Sequence, residues 1–224
     1  MKRFVTRALI VVAAILGIVF AQVAPASATT TKKLESNLAA LWTTVLETPS
    51  AQSPFGSGGP AFACWDLGNR TIAQFSAVNE KKCTVKPGTK IFVAAWSGEC
   101  STFDNDCGRQ DNPPGCEATT APDLLACAQE MDKPHAVPKI TVDGKSVTPT
   151  EVNVPQLNIE MPEDNVFDGL IPGTDTRGGS GLSAAHGWVA LLNPLPPGSH
   201  DIVITDPTDT NNPVLTTIVV STGH

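Results

Sequence analysis

Carboxylates are the most concentrated chemical resource in this chain. Residues 99–132 carry eight acids against one cation, Arg109, a net charge of −7. Within that run Asp104 and Asp106 stand at i, i+2 with Asp111 close behind. A second acidic run, EDNVFDG, adds Glu163, Asp164, Asn165 and Asp168. Calcium takes six to eight oxygen ligands from carboxylates and carbonyls of a loop. It is therefore the candidate ion, with Asp104, Asp106, Asp111, Asp164 and Asp168 as its ligand set. The EF-hand spacing fails, because Gly115 stands where the bidentate glutamate is required. Solvated turns have the same composition without binding anything. Glu99 offers a different chemistry. At the end of a strand and facing Asp104 or Asp164 across a cleft, it would form the acid–base pair of a glycosidase. The structural alternative is a strand-end carboxylate that hydrogen-bonds a loop.

Other reaction types fail on spacing. GGSGL at 178–182 breaks the G-x-S-x-G elbow at Leu182 and sits in a Gly-rich loop. No HExxH is present, which removes the zincin class. His186 and His200 fall on two strands read as neighbours in a hairpin and would approach each other, without a third ligand. The four tryptophans, Trp42, Trp65, Trp96 and Trp188, all lie in helix or strand segments and read as core. Trp65, beside Cys64, is the one to test for exposure as a sugar platform.

Six cysteines at 64, 83, 100, 107, 116 and 127 contain no CxxC pair, so the spacing argues against a structural zinc site. In an exported chain an even count reads as three disulfides, with fifteen connectivities open. Export is indicated by residues 1–28. Lys2, Arg3 and Arg7 precede an apolar run from Ala8 to Ala21, and Ala26-Ser27-Ala28 supplies a cleavage site. The run is shorter than the ~20 apolar residues of a spanning helix, so no transmembrane segment is expected after cleavage. Cleavage removes three of the 15 cations and none of the 22 acids, leaving a net charge of −10. Such a chain repels phosphate backbones, which excludes nucleic acid as a partner.

These groups need a scaffold. KKLESNLAALWTTVLE puts Leu34, Leu38, Leu41 and Val45 on one helical stripe with Trp42 beside it. A Pro/Gly/Ser loop follows. TKIFVAAW is apolar on both faces: Ile91, Val93 and Ala95 on one, Phe92, Ala94 and Trp96 on the other. It reads as a strand buried on both sides. Asp143-Gly144 signals a hairpin. QLNIEM alternates Leu157, Ile159 and Met161 with polar residues. A short helix is expected after Thr120, with Leu124, Ala128 and Met131 lining one side. HGWVALLN, SHDIVIT and PVLTTIVVS read as an antiparallel meander.

In this order the segments resemble a large group of exported bacterial proteins. The resemblance spans almost all of the chain after the leader. It is carried by the Trp-bearing helix, the SPF loop, CTVKPGTKIFVAAWSGECS, LLACA, ITVDG, MPEDNVFDG and GWVALLNPLPPGSHDIVI. It implies an exported β-sandwich with a helix packed at one side, and it implies no activity. Against that group the loop around Cys107 and Cys116 looks inserted. The comparison suggests the pairing Cys64–Cys83, Cys100–Cys127 and, nested inside, Cys107–Cys116.

The expectation is a mainly β chain: an antiparallel β-sandwich, Ig-like or jelly-roll-like, with an N-terminal amphipathic helix and one short internal helix, stapled by disulfides. Residues 1–28 form the signal peptide, 29–60 a helix and loop packed on the main domain, and 61–222 the sandwich. The expected function is a secreted or envelope-associated, non-enzymatic binding module that meets a protein or glycan through stapled acidic loops. The alternatives are a glycosidase-like hydrolase centred on Glu99 and a purely structural envelope protein.

Overall fold

The computed structural model describes residues 31–56, 58–75, 80–103, 120–133, 135–167 and 178–222. Helix α1 spans Thr31–Leu46 and helix α2 Ala121–Asp132. The strands are β1 (Cys64–Asp66), β2 (Thr71–Gln74), β3 (Glu80–Val85), β4 (Lys90–Ser101), β5 (Lys139–Val142), β6 (Lys145–Val147), β7 (Thr150–Met161), β8 (Gly179–Leu192), β9 (Gly198–Asp206) and β10 (Asp209–Val220). They form two five-stranded sheets, ordered β1-β2-β4-β8-β7 and β3-β10-β9-β5-β6.

Neither sheet is purely antiparallel, contrary to the expectation. β2 runs parallel to β4, and β3 runs parallel to β10. A parallel pair needs a long crossover. Between β2 and β4 that crossover is β3 itself, which lies in the opposite sheet. The closing segment differs for the same reason. β8 and β9 are not a hairpin, because residues 193–197 carry the chain from the first sheet to the second; only β9 and β10 pair antiparallel.

The first sheet is covered on both faces. On one side Leu34, Leu38, Leu41 and Val45 of α1 pack against Phe92, Ala94, Val152, Val154, Ala185 and Val189. On the other, Ile91, Val93, Ala190 and Leu192 share a core with Ile140, Ile202, Ile218 and Val220 of the second sheet. That is the two-faced burial of β4 read from TKIFVAAW. Farther along the same face, Leu124 and Ala128 of α2 cover Cys100 and Ala184. Met131, expected on that packed side, is 52% exposed.

Two bulges re-phase the long strands of the first sheet. In β7 an extra residue between Val154 and Leu157 keeps both on the α1 face, and Pro155 is tolerated there because β7 is an edge strand. In β4 the register slips by one residue between Ala94, paired with Val189, and Trp96, paired with Trp188. Directly paired residues share a face. Trp96 therefore lies opposite Ala94 rather than beside it, a correction to the simple alternation. The Asp143-Gly144 turn joins β5 to β6 with φ of 49° and 74°, as a two-residue hairpin requires.

Cys64 is bonded to Cys83, linking the two sheets, and Cys100 to Cys127, linking β4 to α2. Cys107 and Cys116 lie outside the described residues. Lys81 on β3 is 7% exposed, and burial pushes its amine down to about 8. It pairs in register with Thr216, whose buried hydroxyl has no partner. Replacing Lys81 by methionine should therefore raise stability at neutral pH by about 1 kcal/mol or more, measured by urea unfolding. A loss of stability would contradict this reading of the buried amine.

Candidate functional site

Among the described residues, the registers of β4, β7 and β8 leave a gap in the covering of the first sheet. On β8 the second sheet covers Ala190 and Leu192 and α2 covers Ala184, so Trp188 and His186 fall between. On β4 the residues between are Trp96 and Gly98, paired with Trp188 and His186. On β7 they are Glu151 and Asn153, paired with the same two residues. The outcome is a band of side chains, two rows deep and three strands wide. Trp96 and Trp188 are half-buried there, and Asn153 is exposed.

Hydrogen bonds order the rim of this band. His186 Nε2 lies 3.0 Å from Glu151 Oε1, with the histidine buried and the Glu151 side chain 54% exposed. Gln129 of α2 donates to Asn153 Oδ1 at 2.9 Å, fixing the amide from the helix side. From the second sheet's side, the His135 ring lies against Trp96 with centroids 3.5 Å apart, and its Nδ1 sits 2.8 Å from Asp206 Oδ2. The Thr208 hydroxyl, His135 and the Thr208 amide pull the Asp206 carboxyl down to about 2. It is thus a charged acceptor across the physiological range. Trp96 Nε1 is a buried donor without a partner.

The other tryptophans are structural. Trp65 is 6% exposed and donates to the Phe75 carbonyl at 2.7 Å, so it is no platform. Trp42 donates to Ser97 Oγ at 2.9 Å on the α1 face, and Ser97 passes the bond on to the His186 carbonyl.

Of the residues singled out as acid–base or calcium candidates, the described ones, Glu99 and Asp164, lie outside the band. Glu99 is 7% exposed on the α1 face, where Ser183 Oγ donates to it. Asp164 is exposed in the turn after β7, and its carbonyl accepts the Ser50 amide at 2.8 Å. Asp104, Asp106, Asp111 and Asp168 lie outside the described residues. Among the described residues no group of three or more His, Cys, Asp or Glu is placed to hold a metal ion.

His186 and His200 do not approach as a pair, since β8 and β9 belong to different sheets. His200 has its own partners: Nδ1 lies 2.7 Å from Asp143 Oδ2 and Nε2 2.9 Å from the Pro196 carbonyl. Both are acceptors, so the surroundings favour the protonated ring, which can donate from both nitrogens. Burial opposes that charge, but the bonds to Asp143 and Pro196 outweigh it and raise the His200 pKa. Burial likewise works against ionised Asp143, and the bonds from His200 and the Asp201 amide hold its carboxyl below the ordinary range. A raised histidine stabilises fully below its unfolded value of about 6.5 and loses that contribution as pH rises through the folded value. The melting-temperature gap between wild type and His200→Gln should be widest below pH ~6.5 and shrink as the pH rises above it. A gap independent of pH would contradict a charged link.

The band was not visible in the sequence. Its groups come from six separate segments, and the bulge in β4 that turns Trp96 towards it leaves no local signal. No protein-family model matches the chain, and a comparison with curated proteins finds no relative. Among solved structures the chain is similar to the solution structure of amebosin, at 13% identity and a TM-score of 0.21, over 67% of this chain and 96% of that one. Likeness at that level carries no argument.

Proposed function

We propose that the chain is an exported, non-enzymatic binding module built on a β-sandwich, and that its recognition surface is the Trp96–Trp188 band. The observation that carries this is the pair of half-buried tryptophans lying outside both the inter-sheet core and the α2 core, on a sheet otherwise covered. Tryptophan is enriched at binding hot spots because it brings a large apolar face with a polar edge. The carboxylates around the band act as acceptors: Asp206 is held at about 2, the opposite of the raised pKa that a general acid needs. Export is supported by the leader-like residues 1–28 and by two disulfides, which persist in oxidising compartments. Among the described residues no helix is long and apolar enough to cross a membrane.

Retention of the oxidised protein (residues 29–224) on isolated bacterial cell walls tests the reading. Wild type should be retained and Trp188→Ala should wash through, with melting curves that show both folded. Equal retention of the two would remove the band as the recognition surface.

Calcium in the acidic loops is a separate proposal, resting on the Asp104, Asp106, Asp111, Asp164 and Asp168 pattern. Millimolar calcium should raise the melting midpoint above that in EDTA by mass action, and Asp104→Ala should abolish the rise. An unchanged midpoint would leave these loops as solvated connectors.

A further inference from the structure

We propose that the band takes a neutral saccharide chain, an inference that rests on the binding-module reading and names its ligand class. Size is the first constraint. Three strands spaced ~4.8 Å and two side-chain rows ~7 Å apart make a patch about 10 Å across. A stable protein interface needs ~800 Å² on each partner, several times more. The patch matches one or two sugar rings.

Chemistry narrows the ligand further. A pyranose presents a flat C–H face that stacks on an indole, and a rim of hydroxyls that both donate and accept. Trp188 supplies the apolar face. Glu151 and Asn153, held by His186 and Gln129, supply fixed acceptors and an amide at its border. Trp96, with the His135 ring against it, closes the floor on the side of the second sheet. A few placed polar groups around an apolar floor are the usual basis of small-ligand orientation.

Charge excludes the anionic sugars. β7, β8 and α2 carry no lysine or arginine, β4 has only Lys90 at its far end, and the whole chain is at −7. A sulfated or uronic chain would meet the Glu151 and Asp206 carboxylates, with His186 and His135 already engaged by them. An extended peptide is disfavoured on different grounds. A peptide joins a sheet at a free edge through its backbone. Here that edge is β7, which would seat it beside Glu151 and Asn153 rather than over Trp96 and Trp188 on the interior strands β4 and β8.

Tryptophan fluorescence tests this during titration with chitohexaose, cellohexaose, maltohexaose and xylohexaose, each to about 10 mM, the range of weak single-site binding. At least one should shift the emission. Trp188→Ala should weaken that binding by about ten-fold or more, as loss of a stacking anchor does. Asn153→Ala removes an exposed side chain and should weaken it without disturbing the fold, which keeps the test usable if Trp188→Ala unfolds. Retention on cell walls should survive protease digestion of the walls and be competed by the same hexaose. No shift with any hexaose overturns the saccharide. Trp188-dependent retention that disappears when the walls are protease-treated overturns it too, and leaves a binding module with a protein partner. No shift together with no retention removes both readings.

Discussion

Leu41→Ala should destabilise the protein by ~2–5 kcal/mol, seen as a lower urea midpoint at unchanged m-value. Leu41 is fully buried on α1, in the cluster that joins the helix to Phe92, Ala94 and Val189. Truncation removes apolar contact and leaves a cavity that a sheet covered on its other face cannot close. The size of the loss also decides what α1 is. A helix of 16 residues is marginal alone in water, so its order depends on this packing. A loss below ~0.5 kcal/mol, the level of an ordinary surface substitution, would mean that α1 detaches at little cost and that the first sheet tolerates an open face.

Removing the Cys100–Cys127 bond by changing both cysteines to alanine should cost ~2–4 kcal/mol, mainly through the freedom returned to the unfolded chain. The bond closes a loop with a sequence separation of 27 and ties α2 to the end of β4. The consequence reaches the band. α2 forms one wall and holds Asn153 through Gln129, so a loosened helix frees the amide. Weaker retention on cell walls should accompany the lower melting temperature. Loss of stability with binding untouched would show that α2 is a staple and no part of the recognition surface.

Local patterns were legible where the backbone period ran undisturbed. The Leu34–Leu38–Leu41–Val45 stripe, the two-faced burial of Ile91 to Ala94 and the Asp143-Gly144 turn all follow from periods of 3.6 and 2 and from turn stereochemistry. The alternation failed at the β4 bulge, because one extra residue reverses the face of everything beyond it. Simple alternation groups Trp96 with Phe92 and Ala94 for that reason. Strand direction was also out of reach. β2 and β4 are parallel only because β3 crosses to the other sheet between them, and β8 leaves its apparent partner β9 in the same way.

Acidic density drew attention to residues 99–132, yet Glu99 is a buried residue bonded to Ser183 on the far side of the sheet from the band. The groups that do converge are spread from Trp96 to Asp206. His135 meets Asp206 over a separation of 71 residues, and no spacing rule reaches that far.

The indole N–H region of a ¹⁵N-labelled spectrum tests the band most directly. Four tryptophans give four signals, and two act as internal controls. Trp42 is bonded to Ser97 on the opposite face of the sheet, and Trp65 to Phe75, away from the band. When the soluble hexaoses are added, the Trp96 and Trp188 indoles should shift while those of Trp42 and Trp65 stay in place. Movement of the Trp42 or Trp65 signals with Trp96 and Trp188 unmoved would place recognition elsewhere on the molecule.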